Sequence, residues 1–342
     1  MLYGDMRALR LGSVKEAAVV DMDEPVAGRR EVLVRVSCCG ICGTDLHIYN
    51  GEFPVKFPLV PGHEFSGVVE KIGKSVKGLK VGDHVAVDPN ICCGTCHYCR
   101  KGMTNFCERW EAVGVTRQGA FAELVAVPFT NAYRMPKRAP LERFAFVEPV
   151  SCILHGMDRA KTKRGESALV TGLGAIGLIF GQLLKRNGVR VMGTDMILDR
   201  LKMAKKMGFD RAVNPSRESV GDAVKSWTGD RGVDLVVEAS GNTKAMTDAV
   251  RLLDRGGRVL IFGVAPEGAT LEIRPFDIYR NELSIVGSFT NPLTFKRAVD
   301  ILSFNKISVD DLVSEVVGLD GAVSAFEDVA QRKGIKYLVR PG

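Results

Sequence analysis

The sequence predicts an α/β protein of two domains, a doubly wound parallel sheet and a smaller β-rich domain. The chain has 342 residues, more than one hydrophobic core usually supports. Up to about residue 150 it consists of short apolar runs separated by glycine and proline, whereas beyond Gly165 apolar strands alternate with helices. A glycine-rich turn at 172–177 lies between a predicted strand and a predicted helix of the second part.

The N-terminal domain is predicted to be β-rich because its apolar runs are short and end at turn-forming residues. The predicted strands are Glu31–Val36, Gly67–Ile72, His84–Asp88 and Ala120–Val127. The loops between them contain Cys, His and acidic residues, and ligand-binding groups are commonly placed in such loops. We therefore expect the reactive chemistry in this domain.

The second domain is predicted to be a parallel sheet because six strands are joined by crossover helices. The strands are Ala168–Thr171, Arg190–Asp195, Ala212–Asn214, Val233–Glu238, Arg258–Gly263 and Leu283–Gly287. A helix over Leu198–Met207 ends at Gly208, and another, opened by Ser240, ends before Gly256. Residues 289–342 break the pattern, with one helix at about 294–305 and a strand, Lys336–Arg340, that we expect to return to the first domain.

Composition is that of an ordinary globular protein, with 46% hydrophobic and 25% charged residues and a mean hydropathy of +0.05. We expect no membrane association and a cytoplasmic location, because no apolar run would span a bilayer and residues 1–18 are interrupted by charges. The net charge is +7, but basic residues are interspersed with acidic ones along the chain. We therefore expect no nucleic-acid partner.

Four cysteines follow the spacing C-x2-C-x2-C-x7-C, namely Cys93, Cys96, Cys99 and Cys107. Four thiolates in short loops are typical of a tetrahedral structural zinc site. Two disulfides would instead suit a small secreted domain, which this chain does not resemble in length. Cys92 would lengthen the first spacing by one residue, and we assign Cys93 as the ligand.

The glycine-rich turn has the context of a dinucleotide site. The motif residues are Gly172, Gly174, Ala175, Ile176 and Gly177. The first glycine permits a tight turn, the second allows close approach of a pyrophosphate, and the third allows close helix packing. Asp195 ends the next strand, where an acid binds the adenosine ribose and repels a 2′-phosphate, so NAD is predicted rather than NADP. Arg200 is expected to face the adenine.

A second set of metal-binding residue types is spread over the first domain. Cys42, His63 and an acidic oxygen, from Glu64 or Glu148, form a mixed set with an open position, which is typical of catalytic zinc. A lone cysteine or histidine is more often a packed core residue. Their occurrence beside a cysteine block and a dinucleotide motif favours the interpretation as ligands.

The chain resembles the zinc-dependent medium-chain dehydrogenases and reductases over nearly its whole length. The resemblance is carried by GICGTDLH at 40–47, PGHEFSG at 61–67, EPVSCILHG at 148–156, GLGAIG at 172–177 and the cysteine block. It implies a GroES-like catalytic zinc domain from residues 1–152 and 289–342 and a Rossmann NAD-binding domain from 153–288. Glu148-Pro149 favours the polyol and sorbitol dehydrogenase branch, with L-threonine dehydrogenase close by, since classical alcohol dehydrogenases place another cysteine ligand there.

The resemblance also implies roles for individual residues. Cys42 and His63 would bind the catalytic zinc with one or both of Glu64 and Glu148, either glutamate acting directly or through water, and Asp45 would orient His63. The catalytic residues implied by the resemblance are Cys42, Glu148, Thr44 and His47. In the family's proton relay, Thr44 takes the substrate proton, a cofactor ribose hydroxyl passes it on, and His47 releases it to solvent. Loop residues expected near the nicotinamide are Gly263, Val264, Ser288 and Phe289, with Lys336 near the pyrophosphate.

The expected protein is thus an NAD-dependent oxidoreductase with two zinc ions per chain, one catalytic and one structural, which oxidises a secondary alcohol of a polyol reversibly to a ketose. L-Threonine 3-dehydrogenase is an alternative favoured by GTDLHIYN at 43–50 but opposed by Glu148, where we would expect aspartate. A 2,3-butanediol-type dehydrogenase and a non-catalytic zinc and nucleotide scaffold are further alternatives. The resemblance implies a homo-oligomer, a dimer or tetramer.

Overall fold

The computed structural model describes residues 5–342, and within it the chain forms two compact units. One contains the residues up to Ser151 together with Asn291–Gly342, and the other is Cys152–Thr290. The first domain was predicted to end at residue 152, one residue later than the first unit does, and to resume at residue 289, two residues earlier. Residues 1–4, which the prediction placed in the first domain, lie outside the described residues.

The first unit is mainly antiparallel β-structure. Its N-terminal elements are β1 (Asp5–Ser13), β2 (Glu16–Asp23), β3 (Glu31–Gly40), α1 (Gly43–Tyr49), β4 (Glu64–Ile72), β5 (His84–Val87), β6 (Asn90–Ile91), α2 (His97–Arg100), β7 (Glu111–Ala112), β8 (Leu124–Pro128), β9 (Ala132–Arg134), α3 (Leu141–Phe144) and the start of α4 (Val147–Ala160). β1 alternates buried and exposed residues over much of its length, as expected for a strand with one face on a core, whereas β3 is buried at nearly every position.

β3 is central to the larger sheet of this unit. It pairs antiparallel with β4 and β8, β4 pairs with β5, and β5 pairs with β9. One register pair of β3 and β4, Gly40 with Glu64, brings the end of one strand beside the start of the other. Phe65, Phe121 and Phe326 belong to the core beneath this sheet. The loops that leave β3 and enter β4 are therefore held together on a rigid framework.

The second unit is a six-stranded parallel sheet with crossover helices, which confirms the predicted fold class. Its elements are β10 (Ser167–Thr171), α5 (Ala175–Arg186), β11 (Arg190–Thr194), α6 (Leu198–Lys206), β12 (Arg211–Val213), α7 (Val220–Thr228), β13 (Val233–Glu238), α8 (Thr243–Arg251), β14 (Leu253–Ile261), α9 (Pro275–Asn281) and β15 (Ser284–Gly287). The strand order is β12-β11-β10-β13-β14-β15 and every pairing is parallel. The order reverses direction between β10 and β13, where doubly wound sheets bind ligands.

The C-terminal residues contain more structure than the sequence predicted. They form α10 (Phe295–Ser303), β16 (Val313–Gly318), α11 (Ala322–Ala330) and β17 (Lys336–Arg340). β17 pairs with β3, which confirms that the last strand returns to the first unit. The expectation of a single helix was wrong, because α11 is short and its apolar residues pack under the larger sheet. No helix within residues 5–342 has the length and apolar character needed to cross a bilayer.

Candidate metal centres and nucleotide site

The four predicted cysteines converge into one group. Ligand atoms of Cys93, Cys96, Cys99 and Cys107 all lie within 4.8 Å of one another. Backbone N–H groups point at the sulfurs: Cys96 N is 3.3 Å from Cys93 Sγ, and Cys93 N is 3.3 Å from Cys107 Sγ. This arrangement has the number and type of ligands of a closed tetrahedral zinc site.

The electrostatic surroundings lower the pKa of Cys93 and Cys96 and so favour their thiolate forms, whereas desolvation raises the pKa of Cys99 to about 12. The backbone N–H of Thr95, the guanidinium of Arg109 and the backbone N–H of Cys96 together lower the pKa of Cys93 to about 4. A thiolate at neutral pH is the metal-binding form of cysteine. Cys92 does not belong to the group, and its thiol donates to the carbonyl of Thr104 at 3.2 Å.

A second group consists of Cys42, His63 and Glu64, whose ligand atoms also lie within 4.8 Å of one another. The register of β3 and β4 explains this convergence, since Gly40 and Glu64 are paired and Cys42 follows two residues after Gly40. Cys42 lies at the N-cap of α1, while Glu64 begins β4. Thiolate, imidazole and carboxylate make a mixed ligand set with room for a fourth ligand, the composition of a catalytic zinc site.

Asp45 connects the two loops that carry these residues. It is fully buried, and its carboxylate accepts hydrogen bonds from Cys42 N at 2.8 Å and Gly62 N at 3.3 Å. The same carboxylate lies 3.5 Å from His63 Nδ1, a buried atom that makes no hydrogen bond to the described chain. Burial alone would lower the pKa of His63, but the negative charges of Asp45 and Cys42 raise it well above its usual value. These surroundings favour a bound cation.

The two candidate glutamates differ in position. Glu64 lies in the ligand group and is paired with Lys336, whose Nζ also donates to the carbonyl of Ile41 at 2.9 Å. Glu148 lies in the first turn of α4, and the structure does not bring it into the ligand group of the described residues. The prediction that Lys336 reaches a pyrophosphate is not supported, because its ammonium is directed to Glu64 and is buried.

The two predicted relay residues share α1. Thr44 Oγ1 lies 3.7 Å from Cys42 Sγ, beside the ligand group. His47 stands three residues further along, on the same face of the helix, and its side chain is 40% exposed. Its Nδ1 is 2.5 Å from Glu52 Oε2, a partner that the sequence analysis did not identify. The helix therefore has one hydroxyl at the metal group and one imidazole at the surface.

The glycine-rich turn has the geometry that its sequence predicts. Gly172 has a left-handed φ of 84°, and a Cβ on Gly177 would come within 1.9 Å of the Gly172 carbonyl oxygen. By contrast, nothing lies within 4 Å of a Cβ position on Gly174, so the backbone there is open to a ligand. Gly174 caps the N-terminus of α5, and Ala175 and Ile176 form its first turn. Such a helix end attracts an anionic phosphate.

Asp195 follows β11 directly and is held by the backbone. Its carboxylate accepts hydrogen bonds from Leu173 N at 2.8 Å, within the glycine-rich turn, and from Ile197 N at 2.9 Å. Arg200 Nη1 lies 3.7 Å from the same carboxylate, and both side chains are mostly buried. The predicted ribose-binding acid is thus fixed beside the turn predicted to bind the pyrophosphate.

The remaining predicted nucleotide residues follow the carboxyl ends of neighbouring strands. Gly263 and Val264 come after β14, and Ser288 and Phe289 come after β15. Val264 and Phe289 are both exposed. Glu238, which ends β13 and is fully buried beside the glycine-rich turn, was not among the residues predicted for this site. An acidic residue at the end of an otherwise apolar strand was the signal that could have identified it.

Comparison with known proteins gives a consistent family. The "Alcohol dehydrogenase GroES-like domain" family matches residues 28–137, and the "Zinc-binding dehydrogenase" family matches residues 175–303. D-Arabinitol dehydrogenase 1 of Uromyces fabae is 36% identical, covering 99% of this chain and 98% of that protein. L-Threonine 3-dehydrogenase of Pyrococcus horikoshii is 34% identical, covering 91% of each.

Among solved structures, the chain is similar to a protein of Sinorhizobium meliloti 1021 that is described as a zinc-binding dehydrogenase bound to NADP. The two chains are 37% identical and superpose with a TM-score of 0.96, and the match covers 99% of this chain and all of the other. A parallel sheet with a glycine-rich nucleotide turn, joined in one chain to a β-rich unit with two metal-ligand groups, defines a zinc-dependent, nicotinamide-dependent oxidoreductase. The chain belongs to the zinc-dependent medium-chain alcohol dehydrogenase family.

Proposed function

We propose that the protein oxidises a secondary alcohol of a polyol, of the sorbitol or arabinitol kind, and transfers the hydride to NAD, reversibly giving a ketose. The observation that carries this proposal is the group of Cys42, His63 and Glu64, set in negatively charged surroundings with Thr44 beside it. The similarity to D-arabinitol dehydrogenase 1 over nearly the whole chain supports the substrate class.

In this proposal, Cys42, His63 and Glu64 hold the catalytic zinc, and Asp45 fixes the first two in place. A zinc ion bound there would act as a Lewis acid on the substrate hydroxyl and lower its pKa. Thr44 Oγ1 accepts the hydroxyl proton while giving up its own hydroxyl proton along the relay, and His47 releases a proton to solvent from the exposed end of that relay. Glu148, which lies outside the ligand group, acts through water or another side chain.

The four-cysteine group holds the structural zinc in this account. Four thiolates leave no position for substrate, so the metal contributes folding energy to the segment from β6 to β7. A reducing compartment keeps clustered cysteines available to a metal ion, whereas an oxidising one favours disulfides. We therefore also propose a cytoplasmic location.

NAD is the proposed cofactor because of Asp195. Its carboxylate is held by two backbone N–H groups at the position where an acid repels the 2′-phosphate of NADP. The NADP-bound structure of the Sinorhizobium meliloti protein favours the other cofactor, and Arg200, 3.7 Å from Asp195, is the residue that could support it. The activity assay therefore includes both NAD and NADP.

A homo-oligomer is the proposed assembly. β15 is one of the two edge strands of the parallel sheet within the described chain, and Ile285 on it is 41% exposed. On the adjacent helix α9, Phe276 is 64% exposed and Tyr279 is 80% exposed. An apolar surface at an open sheet edge is suited to pairing with a second copy. Light scattering of the purified protein would show a dimer or tetramer, and a monomer would contradict this proposal.

A substrate panel tests the reaction directly. Sorbitol, D-arabinitol, L-threonine and 2,3-butanediol are each assayed with NAD and with NADP by absorbance of the reduced nicotinamide. We expect the highest kcat/KM with a polyol and NAD. Turnover of L-threonine alone would refute the polyol proposal and favour the second candidate, which the similarity to L-threonine 3-dehydrogenase supports.

A further inference from the structure

Glu238 is a fully buried acid in the parallel-sheet unit that the proposed reaction does not use. It is the last residue of β13, and none of its surface is exposed. β13 lies next to β10 in the sheet, at the point where the strand order reverses. Because dinucleotides bind outside the carboxyl ends of the strands at this point, Glu238 lies directly beneath the expected cofactor position.

The partners of the Glu238 carboxylate all belong to segments at this edge of the sheet. Oε1 accepts hydrogen bonds from Thr171 Oγ1 at 3.3 Å, from Ser240 N at 2.9 Å and from the Ser240 hydroxyl. Oε2 accepts one from Gly241 N at 3.2 Å. The carboxylate is thus satisfied by hydroxyl and backbone donors, which makes its burial tolerable without a basic partner.

These hydrogen bonds join two nucleotide-facing segments. Thr171 is the last residue of β10 and immediately precedes the glycine-rich turn, whereas residues 239–242 form the loop that leaves β13. The loop also packs directly on the turn, since a Cβ on Gly172 would be 2.8 Å from Ser240 Cβ. Glu238 therefore fixes the loop after β13 against the turn after β10.

A third segment packs on the same residue. The backbone carbonyl of Glu238 accepts hydrogen bonds from Phe262 N at 3.0 Å and Gly263 N at 2.8 Å. A Cβ on Gly263 would lie 2.8 Å from Glu238 Oε2, and a Cβ on Gly241 would lie 2.5 Å from the Val264 carbonyl oxygen. The loops after β13 and β14 are therefore interlocked with no room for side chains at either glycine.

We infer that Glu238 is a positioning residue for the nicotinamide half of the bound cofactor, holding the loops after β13 and β14 in the shape that receives it. This inference rests on the proposed dinucleotide function. In a doubly wound sheet each half binds one mononucleotide, so β10 and β11, with Asp195, serve the adenosine half and β13 and β14 serve the other half. A change at Glu238 should then weaken the binding of NADH more than the binding of AMP.

The test compares Glu238→Gln with wild type and with a matched control on the same strand. Asp234 lies near the opposite end of β13 and accepts hydrogen bonds from Ser167 N and Ser167 Oγ, both at 2.7 Å. Asp234→Asn therefore removes a similar acid from the same strand, away from the cofactor edge. For each variant, the affinity for NADH is measured by fluorescence titration and the affinity for AMP by calorimetry. The melting temperature of each variant is measured as well.

Glu238→Gln replaces a charged acceptor by an amide whose nitrogen would face other donors, so NADH binding should weaken about tenfold or more. AMP binding should change by less than about threefold, and Asp234→Asn should leave both affinities unchanged even where it lowers the melting temperature. If Glu238→Gln does not fold, Ser240→Ala removes one donor, leaves the carboxylate in place and should weaken NADH binding about threefold.

The inference would be overturned if Glu238→Gln bound NADH with wild-type affinity, or if its affinities for NADH and AMP fell by the same factor. Neither result would contradict the proposed function. Absence of NADH and AMP binding by the wild-type protein would overturn both. A selective loss of NADH binding cannot arise from general destabilisation, because AMP occupies the same unit.

Discussion

Glu64 and Lys336 form an ion pair that is almost fully buried, with 2% and 6% of the two residues exposed. Lys336 lies on the last strand of the chain, whereas Glu64 begins β4 beside Cys42 and His63. A Cβ on Gly40 would be 2.5 Å from Glu64 Oε2 and 2.7 Å from Lys336 Cε, so the pair fits only beside a glycine. The C-terminal strand thus supplies the counter-charge for a predicted metal ligand.

Lys336→Met should destabilise the protein by about 3 kcal/mol, because it leaves the Glu64 carboxylate buried without its partner. Urea unfolding of the protein freed of its catalytic zinc, which would otherwise compensate the charge of Glu64, measures this change. The double variant Glu64→Gln/Lys336→Met should recover part of the loss, since no uncompensated charge remains. Equal stability of Lys336→Met and wild type would show that the pair does not exist in solution.

Cys96→Ser should lower the zinc content from two ions per chain to one and should reduce stability before it affects the intrinsic rate. The four thiolates contribute folding energy and offer no substrate position. Zinc analysis, thermal unfolding and turnover per folded molecule measure the three quantities. Cys92→Ala is the matched control, because Cys92 adjoins the group without belonging to it, and it should keep both ions. A stable Cys96→Ser protein that lacks only turnover would contradict the division between the two sites.

Asp195→Ala should shift cofactor preference from NAD toward NADP. Removal of the carboxylate abolishes the ribose contact and the repulsion of a 2′-phosphate, and it leaves Arg200 as a cation near that phosphate. We expect kcat/KM with NAD to fall about tenfold or more, equivalent to the loss of one charged hydrogen bond. Asp199→Ala, an exposed acid on α6, serves as the control. An unchanged NAD to NADP ratio would remove Asp195 from the cofactor site.

Several parts of this structure follow from local sequence signals, and others do not. The turn from Gly172 to Gly177 was predictable because its glycines stand at fixed spacing: Gly172 has a left-handed φ, Gly177 has no room for a Cβ, and Gly174 leaves the backbone open to a ligand. Cys42 and His63 could be proposed as ligands, but the register that joins them, Gly40 with Glu64, depends on long-range strand pairing. The pairing of Lys336 with Glu64 spans 272 residues and has no local signature.

Asp88→Asn should change how stability depends on pH. Burial raises the pKa of the Asp88 carboxyl to about 6, so the folded protein retains a proton that the unfolded chain releases at lower pH. The stability due to this group is full below about pH 4 and is lost as pH rises through about 6. Asp88→Asn should remove this loss and raise the unfolding free energy at pH 7.5 by about 2–3 kcal/mol relative to its effect at pH 4. Parallel urea titrations at the two pH values measure it, and an identical pH dependence would refute the assignment.

The central claim is that the chemistry occurs at Cys42, His63 and Glu64 and not at the four-cysteine group. The most direct test is the rate of NADH production by Cys42→Ala. Loss of several kcal/mol of Lewis-acid stabilisation corresponds to a fall in kcat of about a thousandfold or more. We predict this fall with the best substrate of the panel, in a protein that still binds NADH with wild-type affinity. Turnover of Cys42→Ala at the wild-type rate would contradict the account.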